Sequence, residues 1–259
     1  MVTKAGFLKA FKFWKMFVDG FICTVSLSAL TVVFGFMLAM ILAMMRLSSV
    51  KPFKSLGIDK YGSQKTGLIG KLSQFNPVSF IATCYVEVIR ATPMLVQLFV
   101  VYYIIFPALP ITLPRFMLFG RIRFERFLPG VVALALNSGA YLSEIIRSGI
   151  QSIDSGQTEA ARSLGLSQWQ TLKLIVLPQA IKNILPAIAN EFVTIIKESS
   201  ITYTIGVQDI MYAVQSVKGS TYSIAEPLLM SAAIYFLLTF PTSKIIAHFE
   251  RKMSKGDKR

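Results

Sequence analysis

Residues 21–45 contain no charged side chain, and a run of that length admits few folds. About 20 apolar residues in a helix cross roughly 30 Å of hydrocarbon. In that medium every backbone N–H and C=O must find its partner within the chain. Residues 228–243 are equally free of charge. Charge is displaced as well as scarce: it makes up 15% of the chain, against about 25% in a soluble domain, and it crowds into 46–71 and 251–259. The net charge of +14 would suit a nucleic acid partner. Its placement excludes that, because the basic residues sit mainly in connectors and the tail, where anionic lipid headgroups attract them. The expected class is an all-α integral membrane protein in a lipid bilayer, with no nucleic acid partner.

Five spans are expected, over about 20–45, 78–106, 128–149, 184–206 and 226–246. Pro93 predicts a kink near the middle of the second. Pro107, Pro110 and Pro114 mark an irregular loop after it. Residues 1–19 alternate lysine with aromatics (Lys9, Phe11, Lys12, Phe13, Trp14, Lys15) and read as an interfacial amphipathic segment. The transmembrane domain then covers 20–250, and 251–259 is a basic tail. With five spans the termini lie on opposite sides. One face collects sixteen Lys/Arg and the other nine, so the positive-inside rule places the C-terminus in the cytoplasm and the N-terminus outside. Cys23 and Cys84 lie within apolar segments and read as reduced packing residues. A lone His248 near the tail offers no metal cluster.

One cytoplasmic loop, 155–178, is too polar to span and too ordered to be a linker. Residues 157–164 contain good helix formers, and Gly165 stops them as a residue able to adopt left-handed dihedrals. Ser167 and Gln170 have the spacing of a capping box that starts a second helix. Trp169, Leu172, Ile175 and Val176 form its apolar stripe. The expectation is two short helices joined by a turn on the membrane surface, presenting Glu159, Ala160, Ala161 and Gly165 to the cytosol.

The pattern Glu159-Ala160-Ala161, three residues, Gly165, nine residues, Ile175, one residue, Leu177-Pro178 resembles the EAA loop of ABC importer permeases. Arg90-Ala91-Thr92-Pro93-Met94-Leu95-Val96-Gln97 resembles the Arg-Gly-Thr-Pro segment of the polar amino acid uptake subfamily (histidine, glutamine or cystine type), with Ala91 replacing glycine. Asn137-Ser138-Gly139-Ala140-Tyr141-Leu142-Ser143-Glu144, Gly156-Gln157, and the stretch from Asn190-Glu191-Phe192 to Lys197-Glu198-Ser199-Ser200 are similar to the same subfamily. The resemblance covers roughly 20–250, although the connector 51–76 is longer than is usual there. It implies the type I ABC importer fold, with five transmembrane helices and a coupling helix at Glu159, Ala160, Ala161 and Gly165 held by a dimer of cytosolic ABC ATPases. It further implies a second permease subunit, identical or homologous, and an extracytoplasmic amino-acid-binding protein. Gly62 and Gly67 have the separation of a phosphate-binding loop, but Leu68 stands where its lysine belongs. The chain is therefore not expected to be an enzyme or to carry a cofactor; ATP and Mg would sit on the partner ATPase.

Glu87, Arg90, Glu144, Arg147, Glu191, Lys197 and Glu198 fall in or near spans, where a charge at a helix centre costs roughly 2.5–3.5 kcal/mol. They must face partners or a wet cavity. Glu87–Arg90 and Glu144–Arg147 have i,i+3 spacing and can neutralise each other. By depth, Arg90 and Thr92 fall near the midplane. Pro93 frees the Ile89 carbonyl, which can then meet a ligand's ammonium while Arg90 or Thr92 meets its carboxylate. Arg90, Thr92 and Glu191 are the candidate cavity residues. Lys197 and Glu198 read as structural. A channel or ion-coupled carrier would also use intramembrane charges but gives no reason for the EAA spacing. A membrane-embedded enzyme lacks a catalytic carboxylate pair, a Ser/His/Asp set or metal-ligand spacing.

Overall fold

The computed structural model describes residues 2–48, 50, 52, 71 and 73–254; most of the connector 51–76 and the tail from 255 lie outside the described residues. Helix α1 (Lys4–Phe11) starts on Thr3, whose hydroxyl accepts from Gly6 N at 3.0 Å. Helix α2 (Trp14–Leu47) has 34 residues, about 51 Å at 1.5 Å per residue, and so overshoots the hydrocarbon. Helix α3 (Pro77–Ala91) is capped by Asn76, whose side chain accepts from Ser79 N. Pro77 occupies its first turn, where no N–H is needed. Helix α4 (Met94–Val100) is prolonged by a π-helical turn, Val101–Ile105, and a last turn, Phe106–Ala108.

The proline-rich loop then ends in a small hairpin, β1 (Met117–Leu118) with β2 (Ile122–Arg123). Its turn places both Phe119 and Gly120 at positive φ. Helices α5 (Phe124–Gln151), α6 (Ser155–Ser163) and α7 (Gln168–Thr171) follow. A second π-helical turn, Leu172–Val176, carries α7 into α8 (Leu177–Glu198), which a 3-10 stretch extends to Ile205. Helices α9 (Ile210–Thr221) and α10 (Ala225–Ser254) complete the described chain.

Packing gives the direction of each crossing. Cys23 and Leu27 of α2 share a core with Phe127 and Val131 of α5, while Ala39 and Ala43 share another with Leu142 and Ile146. Helices α2 and α5 therefore run parallel. Ala180 and Ile184 join the second core, and Ile205 the first, so α8 runs the other way. Ala82 and Val86 of α3 pack near Leu42, whereas Leu98 and Val101 belong with Leu27. The α3–α4 pair thus reaches both ends and is one broken span, which makes five crossings. Between α2 and α5 small residues set the approach. A Cβ on Gly35 would stand 3.2 Å from Ser138 Oγ, and one on Gly139 would meet Leu38 at 2.7 Å. In lipid this close fit, rather than exclusion of water, holds helices together.

Two expectations change. The break at Pro93 is a bend of 112°, not a kink. Thr92 is extended (φ −112°, ψ 143°), because a residue before proline avoids the helical region and proline supplies no N–H. Nor is the second half of the polar loop a separate surface helix. From Gln168 the chain is continuously helical to Ile205, so the fourth span begins far before residue 184. Pro178 should have stopped it. The π-helical turn just before it, closed by Leu177 N–H to the Leu172 carbonyl, widens the ring and carries the helix past the proline. The same device precedes Pro107, where Phe106 N–H reaches the Val101 carbonyl.

Candidate coupling and translocation sites

At one end of the bundle α6 is a self-contained unit. Asp154 caps its start by accepting from Gly156 N at 2.7 Å. Its end is closed by Leu166 N–H to the Ala161 carbonyl and Gly165 N–H to the Arg162 carbonyl, with Gly165 at φ +85°. This is the paired hydrogen-bond pattern of a Schellman ending. The Arg162 guanidinium also donates to the Leu166 carbonyl at 3.0 Å. The capping box at Ser167 and Gln170 forms in both directions. Glu159, Ala160 and Gly165 are exposed as expected, but Ala161 is buried at 4% exposure. Two residues on a helix are about 200° apart, so Ala161 turns inward where Glu159 turns out. Leu164 is 84% exposed and Trp169 69%. The apolar stripe expected to lie on a membrane therefore has its leading residue free. Helix α6 packs on the π-helical turn at the foot of α8.

Near the same end, Glu144 joins two arginines. Arg147 donates to both of its carboxylate oxygens, the expected i,i+3 pair, and Arg46 at the end of α2 donates to Oε2. Each of the three is partly buried. The Arg46 contact was not anticipated. Its signal in the sequence is that Arg46 is the first charge after the run 21–45, but its level with Glu144 depends on α2 and α5 running parallel.

The second candidate site surrounds the broken span. Among the described residues Glu87 and Arg90 form no ion pair; Arg90 instead lies 5.5 Å above the Tyr141 ring of α5. A guanidinium over an aromatic face is held by the ring quadrupole. Thr92 is exposed, and its hydroxyl donates back to the Val88 carbonyl at 2.9 Å. The Ile89 carbonyl is not free for a ligand. Gln97 Nε2 donates to it at 2.6 Å, and lies 3.0 Å from the Thr92 carbonyl and 2.9 Å from the Thr92 hydroxyl. Asn137 Nδ2 on α5 in turn donates to Gln97 Oε1 at 2.9 Å. The reason is general: an orphan carbonyl in a dry interior attracts whatever donor is within reach. A lone amide four residues past a proline in an apolar run was the readable sign.

Glu191 is partly buried on α8, and Asn190 beside it is exposed. No hydrogen bond or ion pair among the described residues joins Glu191 to Arg90 or Thr92. Helix α5 packs against both α3 and α8, so the two polar groups flank it rather than meet. Glu87, Arg90, Thr92 and Lys197 are all exposed on this single chain. At membrane depth that surface needs cover or water.

Comparison with known proteins covers this whole region. The model of the binding-protein-dependent transport system inner membrane component family matches residues 66–255, a range that includes every candidate site residue. The arginine transport system permease protein ArtQ of Bacillus subtilis (strain 168) is 42% identical over 187 residues, 72% of this chain and 80% of its own length. A solved amino acid ABC transporter with histidines is 37% identical with a TM-score of 0.78, covering 97% of this chain and 100% of that one. The MetNI methionine ABC transporter in an inward facing conformation is 15% identical with a TM-score of 0.64, covering 93% of this chain and 97% of that one; it shares the fold. With its five crossings and the capped helix at one end, the chain belongs to the family of binding-protein-dependent transport system inner membrane components.

Proposed function

We propose that the chain is one of two permease subunits, identical or homologous, of an ABC importer that moves polar amino acids inward by alternating access. Two cytosolic ATPase subunits supply ATP and Mg, and an extracytoplasmic binding protein delivers the cargo. The chain itself catalyses nothing and needs no cofactor. Residues 155–178 face the cytoplasm together with the C-terminus, in line with sixteen Lys/Arg on that face against nine on the other.

Helix α6 carries the reading. It is closed at both ends by its own hydrogen bonds, and it presents Glu159, Ala160 and the bare Leu164 outward. Such a unit moves as a rigid body when a partner grips it. It rests on the π-helical turn, and that turn continues without a break into α8, which carries Glu191. A push on α6 therefore reaches the helix on which Glu191 stands. The exposed Glu87 and Arg90 support a second permease subunit, since neither can face lipid cheaply.

Arg90, Thr92 and Glu191 line the path. An amino acid zwitterion needs both signs, and Arg90 suits its carboxylate, which the Thr92 hydroxyl joins only by giving up its bond to the Val88 carbonyl. The Ile89 carbonyl is already occupied, which leaves Glu191 for a cationic group. The relative named for arginine is in line with a cationic cargo, and relatives named for glutamine with a neutral one of the same polar class. The test is uptake into proteoliposomes carrying the complete transporter, with arginine, histidine and glutamine as cargo. Gly165→Val should abolish uptake and uncouple the ATPase while insertion stays intact; normal uptake by that variant overturns the coupling reading. Glu191→Gln should weaken uptake of arginine more than of glutamine. Equal uptake of all three by that variant would return Glu191 to a structural role.

A further inference from the structure

We infer that Gln97, anchored to α5 by Asn137, is the positioning residue that holds the broken second span in shape and sets where Arg90 and Thr92 stand. The effect on transport rests on the proposal that those two residues line the path. The shape of the break does not rest on it.

Pro93 has no N–H, so the Ile89 carbonyl loses the partner that a continuous helix would provide. Thr92, held extended, turns its carbonyl away from the helical ladder as well. Both carbonyls converge on one NH2 group, that of Gln97, at 2.6 and 3.0 Å. An amide can be placed either way round in such a site. If it were reversed, its oxygen would face two carbonyl oxygens and its nitrogen would face another donor. The two carbonyls, which can only accept, exclude the reversed placement, and Asn137 satisfies the oxygen left over by donating to Oε1 at 2.9 Å. Gln97 is 9% exposed and Asn137 4%, so water cannot replace either partner, and in a low-dielectric interior an unpaired amide is costly.

Three elements meet at this pair: the end of α3 at Ile89 and Thr92, the first turn of α4 at Gln97, and the middle of α5 at Asn137. One turn further along α5, Tyr141 carries Arg90 on its ring. The orientation of α3 against α5 is thus held by polar contacts at three neighbouring points, the third being Tyr85 Oη, which donates to the Leu136 carbonyl at 2.9 Å. The contact through Gln97 supplies the donor that Pro93 lacks.

The test is a double-mutant cycle between Pro93→Ala and Gln97→Met in the complete transporter, because coupled sites deviate from additivity. Spin labels on the two limbs, at the exposed positions Ile81 and Ile104, report their separation, with the exposed Cys84 replaced by serine. Methionine keeps the length of glutamine and removes the donor. Gln97→Met should broaden or shift the limb-to-limb distance and raise the KM for uptake about tenfold, which is about 1.4 kcal/mol. With Pro93→Ala already present, residue 93 has its own N–H for Ile89, and the same change should have little further effect on the distance. Asn137→Leu should broaden the distance as Gln97→Met does. Additive effects of Pro93→Ala and Gln97→Met, or an unchanged distance in Gln97→Met, overturn the inference. A shifted distance with wild-type KM keeps Gln97 as the positioning group and removes Arg90 and Thr92 from the path.

Discussion

Two of the prolines in the spans, Pro93 and Pro178, are met in opposite ways. At Pro93 the chain breaks and turns by 112°. At Pro178 it continues as one helix from Gln168 to Ile205. The chemistry of the insult is the same: a missing N–H and a ring that crowds the carbonyl four residues back. What differs is how the backbone accommodates it. Before Pro178 the helix widens by a π-helical turn closed by Leu177 N–H on the Leu172 carbonyl, and the Gln179 amide just past the proline donates to the Ile175 carbonyl at 2.9 Å. At Pro93 the ladder ends, Gln97 from the next helix donates to the orphaned Ile89 carbonyl, and the backbone turns. A widened helix runs on in one piece. A broken one leaves an angle with polar groups around it. The continuous element lies between α6 and Glu191, and the angled one carries Arg90 and Thr92.

This contrast breaks most visibly under deletion. A π-helical turn contains one residue more than an α-helical path needs, so removing Lys173 from it should leave a folded, membrane-inserted protein. Removing Thr92 should abolish insertion and uptake, since the extended residue has no helical substitute. Expression and size-exclusion profiles in detergent check both. If the two deletions behave alike, the comparison fails.

Asn137→Leu should cost about 2 kcal/mol, the penalty for leaving a buried acceptor on Gln97 unpaired. It should lower the thermal unfolding midpoint in detergent by several degrees. Gly165→Val should cost about 1–2 kcal/mol in backbone strain, although nothing lies within 4 Å of a Cβ there. Gly165→Asn should cost only a few tenths of a kcal/mol, because asparagine tolerates left-handed dihedrals. A pair of thermal melts separates these outcomes, and equal effects would point to crowding instead of dihedral strain. The smallest change belongs to Pro178→Ala, within about 0.5 kcal/mol of wild type, because the π-helical turn has already absorbed the proline. A large stabilisation by Pro178→Ala would mean that the turn is strained.

Much of α6 was readable because its determinants are local. Asp154, Gly165, Ser167 and Gln170 act on backbone groups two or three residues away, and such spacings can be counted along the chain. Ala161 could have been placed by the same counting, since its position on the helix opposes that of Glu159. The parting of Glu87 from Arg90 was not readable. Their spacing permits a pair, but Tyr141 on another helix offers Arg90 a competing partner. Arg46 and Glu144 likewise meet across 98 residues, which no periodicity reports.

The sequence by itself determined that the chain lives in a bilayer, that it crosses five times, and where the capped helix α6 begins and ends. Those properties follow from apolar run length and from caps that bond to their own neighbours. Only the tertiary structure decided that Pro93 breaks its span while Pro178 is passed over, and at the break the orphaned Ile89 carbonyl takes its donor from Gln97 on the next helix. Asn137, forty residues from Gln97, holds that donor in place for the broken span, and a contact of that kind exists only once the helices have packed.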